Sequence, residues 1–437
     1  MAEREWREAT DLKPATFWLT VVLAVAAALR LWAPHHGLPH GVGSDEAAVA
    51  AAVVGIMRTG DFNPHFFDYP GLVFWLHLPV ACARFLLGAV GGEWTSLNAF
   101  TVDAFLPWSR IVTALIGTAT VFVVHQIGLR WGARHALLAA GLLAVMPPHV
   151  AESHHALPDV PLTLFTTLCF LLSLDAHDRG TPRAFATAGA AAGLAMATNY
   201  SAIITLSLPL LAAWMTFPGR PSRMAYALST LGAAAAAYLV AAPFTLLDLP
   251  GFLNGFAAFA AAFRERGDIG ARAWLMYLVS LNRALGWPAF ILMFTGLAMG
   301  VVRAAKGPGR VRWTLLVGFP VLVYVLASRR GVAEDRALLP AIPFACVLAG
   351  LAVISGVSLL RRFNIPRAPR TALIVALTVA ALLPPLIGSI SYVRGLTSLT
   401  PEARSRVGLA FGPPRARLTA RAAGSPPGDE GPRPSRR

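Results

Sequence analysis

Long apolar runs recur along almost the whole chain, and they constrain its fold more than any other feature. An α-helix needs about 20 predominantly apolar residues to cross a bilayer. Of the 437 residues, 56% are hydrophobic and 14% are charged, whereas a soluble domain has about 25% charged residues. The sequence therefore predicts an all-α, polytopic membrane protein. About eleven runs are candidate transmembrane helices: Phe17–Ala33, Pro107–Ile127, Ala136–Val150, Pro158–Leu174, Ala184–Ala197, Ser201–Phe217, Met224–Ala242, Gly286–Val302, Trp313–Ala327, Ala337–Leu360 and Ala372–Tyr392.

The beginning of the chain favours a retained membrane helix over a cleaved signal peptide. Met1–Lys13 is mixed in charge, and no small-residue cleavage site follows the first apolar run. The cysteines, Cys82, Cys169 and Cys346, are scattered through apolar runs and indicate neither a metal site nor a disulfide framework. We therefore expect an integral, multi-pass protein of the cell (inner) membrane.

The basic residues predict the side of the membrane on which each loop lies. A net charge of +15 is common in nucleic-acid-binding proteins, but these basic residues fall mostly in short loops and in the C-terminal tail. The partner they predict is the bilayer, not nucleic acid. The predicted cytoplasmic loops carry Arg130/Arg134, Arg179/Arg183, Arg220/Arg223, Arg303/Lys306/Arg310/Arg312 and Arg361/Arg362/Arg367/Arg370. The predicted external loops carry the acids Asp45, Glu46, Asp61, Asp68, Glu152, Asp159, Asp248, Glu334 and Asp335.

This alternation depends on the apolar stretch Leu72–Gly88. It holds only if that stretch does not cross the membrane and lies along the outer interface as a juxtamembrane helix. The interior Pro79, together with His77 and Arg84, favours the interfacial position. If the stretch does cross, every later loop changes side.

The predicted organisation has three parts. Residues 1–16 form a cytoplasmic N-terminus, and residues 17–393 form a transmembrane domain. A tail over 394–437, rich in Arg, Pro, Gly and Ala, is predicted to be basic and disordered. The transmembrane domain has a first external loop with juxtamembrane helices at 34–106, a second at 151–157 and a long one at 243–285.

Two adjacent acids, Asp45 and Glu46, lie just beyond the first apolar run. Charges at a bilayer edge are costly unless they face water or a ligand, so this pair predicts a catalytic pocket at the membrane surface. A carboxylate there is suited to accept the proton of an attacking hydroxyl, and the second acid to hold it or a metal. The alternative is a helix N-terminus, with Ser44 or Asp45 as the cap and the acids complementing the helix dipole. The two interpretations are compatible.

A second polar constellation spans Glu152–Asp159. Glu152, His154 and His155 are candidate ligands for a divalent cation, which is the only candidate cofactor. A polar turn at the level of the lipid headgroups is the preferred alternative. Asp159 precedes an apolar run and is a candidate catalytic acid or helix cap.

Three arginines are candidates for binding a phosphate. Arg336 lies at the outer end of a predicted span, and the guanidinium fork matches phosphate oxygens. The alternatives are a salt bridge with Glu334 or Asp335, or snorkelling. Arg264 and Arg266 follow the apolar, aromatic segment Phe252–Phe263, which is typical of an interfacial helix; general contact with lipid phosphate is the preferred alternative for both.

The order of these features resembles the C-fold membrane glycosyltransferases, the family of protein O-mannosyltransferases and lipid A aminoarabinose transferases (glycosyltransferase family 39-like). The resemblance is carried by short stretches within residues 17–393: Gly43–Ala47, Asn63–Leu72, His155–Leu164, Gly193–Tyr200 and Arg336–Pro340. It implies that Asp45 is the catalytic acid of the first external loop and that Asp159 is the acid of the second. It also implies that Arg336 lies near the lipid phosphate.

The chain departs from the family pattern at three places. Asn199 stands where many relatives have lysine, and Pro70-Gly71 stands where they have two prolines. The tail after Thr400 does not resemble the folded external domain of many relatives.

The resemblance implies transfer of a sugar, hexosyl or pentosyl, from a polyprenyl phosphate to an extracytoplasmic lipid, glycan or protein acceptor, with inversion. Polyprenyl phosphate is a stable anion, so its departure needs no general acid, unlike in glycosidases. The alternative class is a transporter or lipid flippase. Transporters often contain inverted repeats with substrate sites at the midplane. This sequence has no clear repeat, and its acids lie at loop edges. A catalytically inactive scaffold is a third hypothesis.

Overall fold

The computed structural model describes residues 2–38, 43–216, 220–265, 272–307, 309–329, 335–359 and 366–398. Within these ranges the chain forms α-helices, short 3-10 helices and loops, and no strand. The 3-10 helices are Leu97–Ala99, Tyr200–Leu206 and Asp335–Ala341. The α-helices of the described ranges are α1 Ala2–Arg30, α2 Ser44–Thr59, α3 Leu72–Val90, α4 Val102–Leu129, α5 Ala133–Ala144, α6 Pro147–Glu152, α7 Asp159–Arg179, α8 Pro182–Met196, α9 Ser207–Thr216, α10 Arg220–Ala241, α11 Phe244–Leu247, α12 Leu249–Glu265, α13 Ala273–Lys306, α14 Arg310–Ser328, α15 Ile342–Leu359 and α16 Arg367–Ser398.

Each predicted apolar run contains a helix, but the count of eleven spans is not confirmed. In the described part of the chain, 8 helices are long and apolar enough to cross a membrane, judged by length and composition. α5 ends after 12 residues, just before the prolines that open α6. α9 has 10 residues because a 3-10 helix precedes it. Proline lacks the amide proton that would continue a helix, so an apolar run that contains it can be divided.

The apolar stretch on which the topology depends is helical. α3 has 19 residues and is among the helices that are long and apolar enough to cross a membrane. Length and composition do not distinguish a crossing from an interfacial position, so the juxtamembrane assignment stays a prediction. The first residues of the predicted disordered tail, 394–398, are instead the end of α16, and the rest of that tail lies outside the described residues. The predicted N-terminal segment is part of α1.

Glycines bring the membrane helices into close contact. α8 packs on α10, and a Cβ added to Gly189 or Gly193 would overlap the backbone carbonyl of Thr230 or Ala234, respectively. Gly296 of α13 meets the carbonyl of Leu348 on α15 in the same way. Small residues four apart let helix backbones approach in a membrane. These contacts stabilise a bundle whose main core includes residues of α4, α5, α7, α13, α14 and α15.

A break in α13 coincides with the predicted start of a span. Gly286 has φ 69° and ψ 158°, a conformation that is open to glycine, and Pro288 follows two residues later. The sequence placed the start of the span Gly286–Val302 at this residue. The earlier part of α13, with α11 and α12, falls in the segment predicted as the long external loop.

A second, smaller core supports the predicted first external loop. It consists of buried side chains of α2, α3 and the beginning of α4, among them Val53, Phe74 and Phe105. Ala156 and Leu157, from the predicted second external loop, belong to the same cluster. The two loops are therefore packed together, and the residues between them form the candidate active site.

Candidate active site

Helix α2 begins at the two adjacent acids. Gly43 is extended at the N-cap, and the first helical hydrogen bond runs from Ala47 N to Gly43 O over 2.9 Å. Gly43, and not Ser44 or Asp45 as the sequence analysis proposed, is therefore the N-cap residue. Asp45 and Glu46 both lie in the first turn, where a negative charge complements the helix dipole. The helix-signal interpretation is confirmed to that extent.

Asp45 is in contact with the arginine that the sequence assigned to a phosphate. Arg336 Nη2 donates to Asp45 Oδ2 at 3.1 Å, although the two residues are 291 positions apart. Tyr69 OH donates to the same oxygen at 3.3 Å. The side chains of Asp45 and Arg336 are each 15% exposed, so the pair is not fully enclosed by the protein. The sequence analysis considered Glu334 or Asp335 as the partner of Arg336, whereas the salt bridge in the structure is with Asp45. Glu334 and the side chain of Asp335 lie outside the described part of the chain.

Glu46 has an entirely different environment. Arg110 donates to both of its carboxylate oxygens, through Nε at 2.8 Å and Nη2 at 2.6 Å. The side chains of Glu46 and Arg110 are 1% and 2% exposed. Ala156 N donates to Glu46 Oε1 at 2.8 Å, and His155 Nδ1 lies 3.7 Å from Oε2. Burial alone would raise the pKa of Glu46, but the bonds to Arg110 and His155 hold that pKa well below its usual range.

Arg110 links three segments around this carboxylate. Its Nη1 donates to Pro34 O at 2.9 Å and to His36 O at 2.6 Å, in the segment that follows α1. Sequence reasoning did not find Arg110, because it lies inside the apolar run Pro107–Ile127 and belongs to no motif. The available indication was the arginine itself, since a charge within such a run needs a buried partner.

The predicted metal ligands do not form a metal site. His154 is buried, and its ring Nδ1 donates to Val150 O at 2.8 Å; burial lowers the pKa of His154 to about 4. His155 instead faces Glu46, and although burial opposes it, this carboxylate raises the pKa of His155 above its usual value. Among the described residues, no group of three or more His, Cys, Asp or Glu is placed to hold a metal ion. The donor set therefore does not fit the cation suggested for Glu152, His154 and His155.

The other predicted site residues lie around this centre. Asp159 is buried in the first turn of α7, with Pro158 rather than Asp159 at the N-cap. α7 packs against the 3-10 helix that carries Arg336. Arg264 lies in the last turn of α12, and Arg266 lies outside the described residues. The predicted interfacial segment before them is indeed helical.

Two stretches that carry the family resemblance meet beside the site. Leu72 N donates to Ala197 O at 3.0 Å, and Tyr200 OH donates to Phe67 O at 3.1 Å. Asn199, which stands where many relatives have lysine, accepts hydrogen bonds from the backbone N and the hydroxyl of Ser201 at 3.0 and 2.9 Å. Asn199 therefore caps the 3-10 helix that begins at Tyr200.

One protein family and several solved structures are similar to this chain. Residues 95–246 match the family described as dolichyl-phosphate-mannose-protein mannosyltransferase. The oligosaccharyltransferase of Archaeoglobus fulgidus in its apo form matches over 91% of this chain, with a TM-score of 0.59 and 12% identity. ArnT from Cupriavidus metallidurans bound to undecaprenyl phosphate also matches over 91%, with a TM-score of 0.56 and 16% identity. The chain has the fold of the C-type membrane glycosyltransferases.

The predicted resemblance and the prediction of an all-α, polytopic membrane protein are thereby confirmed. This C-fold chain spans 60% of the archaeal oligosaccharyltransferase and 74% of ArnT. Another structure of the oligosaccharyltransferase, in complex with Zn and sulfate, matches over 90% of this chain with a TM-score of 0.54 and 14% identity. A comparison with curated protein sequences gave no match.

Proposed function

We propose that this C-fold protein transfers a sugar from a polyprenyl-phosphate donor to a hydroxyl group of an extracytoplasmic acceptor. The observation that supports the proposal is the contact between Asp45 and Arg336, in which a carboxylate that can accept a proton lies beside a guanidinium that can bind a phosphate. Two comparisons support this donor class. The matched family is named for dolichyl-phosphate mannose, and ArnT was solved with undecaprenyl phosphate bound.

In this reaction each residue has a separate task. Arg336 binds the donor phosphate through charge-assisted hydrogen bonds. The carboxylate of Asp45 accepts the acceptor's hydroxyl proton while the oxygen forms a bond to the anomeric carbon. The bond between that carbon and the phosphate oxygen breaks, and polyprenyl phosphate leaves with the electron pair. Asp45 then releases the proton to water. Attack opposite the leaving phosphate inverts the anomeric configuration.

Glu46 has a positioning task in this proposal. It is buried and bonded to Arg110 and Ala156, so it orients the first turn of α2 and with it Asp45. In this proposal the two neighbouring acids have different tasks, and their different environments support that division. Asp159, at the N-terminus of α7, is the remaining candidate acid, and its helix packs on the segment of Arg336.

The test is direct transfer of a labelled sugar. Purified protein in neutral-lipid nanodiscs is incubated with polyprenyl phosphates that carry a radiolabelled hexose or pentose, and with cell-envelope fractions. We expect one label to move to an acceptor with release of polyprenyl phosphate, and nuclear magnetic resonance of the product to show inversion.

Two outcomes would count against the proposal. If the protein binds the donors but transfers sugar from none of them, a catalytically inactive scaffold is favoured. In proteoliposomes, movement of intact labelled lipid between leaflets without loss of its sugar would favour the flippase alternative.

A further inference from the structure

The site contains two acid–arginine pairs. Their acids are adjacent in sequence, but the two pairs differ in accessibility. Glu46 and Arg110 are almost fully buried, and four hydrogen bonds hold the guanidinium of Arg110. Asp45 and Arg336 are each 15% exposed. An arginine that is enclosed on all sides stays with its carboxylate, whereas a partly exposed one can exchange its partner for a ligand. The Asp45–Arg336 pair is the one that a bound substrate can open.

We propose that the donor phosphate takes Arg336 away from Asp45, so that Asp45 is released to act as the base only when the donor is bound. This inference rests on the proposed function, and it adds an order of events at the same site. Before the donor binds, Arg336 is held by the carboxylate. After it binds, the guanidinium is bonded to the phosphate.

The exchange follows from the charges involved. A phosphate monoanion or dianion presents several strong acceptor oxygens, and the planar guanidinium matches them at least as well as it matches a carboxylate. A carboxylate bonded to an arginine accepts a proton less readily than one without that cation. Removal of Arg336 from Asp45 therefore makes the carboxylate a stronger proton acceptor.

Tyr69 keeps the released carboxylate oriented. Its hydroxyl donates to Asp45 Oδ2, the same oxygen that Arg336 contacts. A neutral phenol does not hold a phosphate as a guanidinium does, so Tyr69 stays with Asp45 when Arg336 moves. The acceptor hydroxyl is then activated only beside a bound donor, and the donor binds first.

Removal of the Asp45 carboxylate should tighten donor binding. The probe is polyprenyl monophosphate without a sugar, titrated into protein in neutral-lipid nanodiscs and followed by microscale thermophoresis. In the parent protein, part of the binding free energy is used to break the Asp45–Arg336 bond. In Asp45→Asn the charge-assisted hydrogen bond to Arg336 no longer has to be broken before the phosphate binds. The Kd of this variant should therefore be roughly tenfold lower than that of the parent.

Two further variants isolate the exchange from a general charge effect. Asp61→Asn removes a negative charge from the same external loop, where Asp61 bonds to His65 and the backbone of Asn63 instead of Arg336, so its Kd should change less than about twofold. The double variant Asp45→Asn/Arg336→Ala should bind no more tightly than Arg336→Ala alone, because the tightening requires Arg336. Asp45→Ser serves if the asparagine variant does not fold.

The outcomes separate this inference from the function on which it rests. If Arg336→Ala weakens binding but Asp45→Asn leaves it unchanged or weaker, the exchange is wrong and the donor assignment stands. An equal tightening in Asp61→Asn would also overturn it. If the parent protein does not bind polyprenyl phosphate, or binds it equally well without Arg336, the proposed donor site itself is wrong.

Discussion

The guanidinium of Arg110 donates to both carboxylate oxygens of Glu46, at 2.6 and 2.8 Å, and almost no surface of either side chain is exposed. Loss of one member would leave the other as a buried, unpaired charge. Arg110→Ala should therefore lower the free energy of unfolding by about 3–5 kcal/mol. Denaturant titration in detergent measures the change.

The control for this prediction is an exposed pair, His65 and Asp61, in the segment between α2 and α3. His65 Nε2 lies 2.8 Å from Asp61 Oδ2, and both side chains are more than half exposed. His65→Ala should leave stability nearly unchanged, since exposed ion pairs contribute little. Equal effects of the two substitutions would show that Arg110 is not a structural centre.

Asp45→Asn should affect chemistry without affecting the fold. It keeps the size of the side chain but removes the base, so kcat for sugar transfer should fall by about 10²–10⁴ while the protein still folds. Glu46→Gln should reduce stability and activity together. Transfer by Asp45→Asn at the parent rate would leave Asp45 as an acid that only complements its helix, and the base would be sought at Glu46 or Asp159.

Acid should destabilise the protein through a buried histidine outside the spans. The pKa of His154 is lowered by burial from 6.5 to about 4, so the folded state takes up this proton less readily than the unfolded chain. The stability that the neutral ring contributes is complete above pH 6.5 and is lost as the pH falls toward 4. Between pH 6.5 and 5 the loss for this one group should be about 2 kcal/mol.

His154→Gln tests this group, because glutamine can still donate to Val150 O but does not titrate. The variant should lose less stability than the parent between pH 7.5 and pH 5. The pKa of Glu46 is also held below its usual value of 4.5, so its contribution is lost mainly below that pH. The pKa of His155 is raised, and its contribution is lost with increasing pH. If His154→Gln lost as much stability as the parent over this range, His154 would not be a buried, neutral histidine.

Close helix contact makes a further prediction about Gly193. A Cβ at this position would overlap the carbonyl of Ala234 on α10, so Gly193→Ala should cost about 1–3 kcal/mol. Gly318 of α14 has no neighbouring atom within 4 Å of such a Cβ. Gly318→Ala should be neutral or stabilise by up to about 1 kcal/mol. If both variants had the same thermal midpoint, α8 and α10 would not be packed backbone to backbone.

The topology can be tested with single cysteines in a background that lacks the native ones. Cysteines introduced near Asp45 and His154 should react with an impermeant thiol reagent added from outside. A cysteine introduced near Arg310 should not react. Both ends of α3 should react from the same side if it lies along the interface. Labelling of its ends from opposite sides would reverse every later loop.

The helices of the long apolar runs could be predicted from the sequence because helix formation there has a local cause. Backbone polar groups in a bilayer must bond within the segment, so each long apolar run forms a helix regardless of its neighbours. The predicted start of a span at Gly286 coincides with the break in α13, where glycine adopts a positive φ. The sequence alone did not establish the number of spans, since the length of a helix such as α5 depends on where prolines interrupt the apolar runs.

The acids were also visible in the sequence, because charges at a bilayer edge are costly unless they face water or a ligand, but the environment of each acid was not. Successive side chains of a helix point in different directions, and only the packed bundle decides what each one meets. Glu46 meets an arginine 64 positions away that no motif announced, while Asp45 meets one 291 positions away at the surface. The sequence determined that two carboxylates lie together at the start of α2. The tertiary structure alone decided that one is enclosed with a buried counter-charge and the other remains within reach of a ligand.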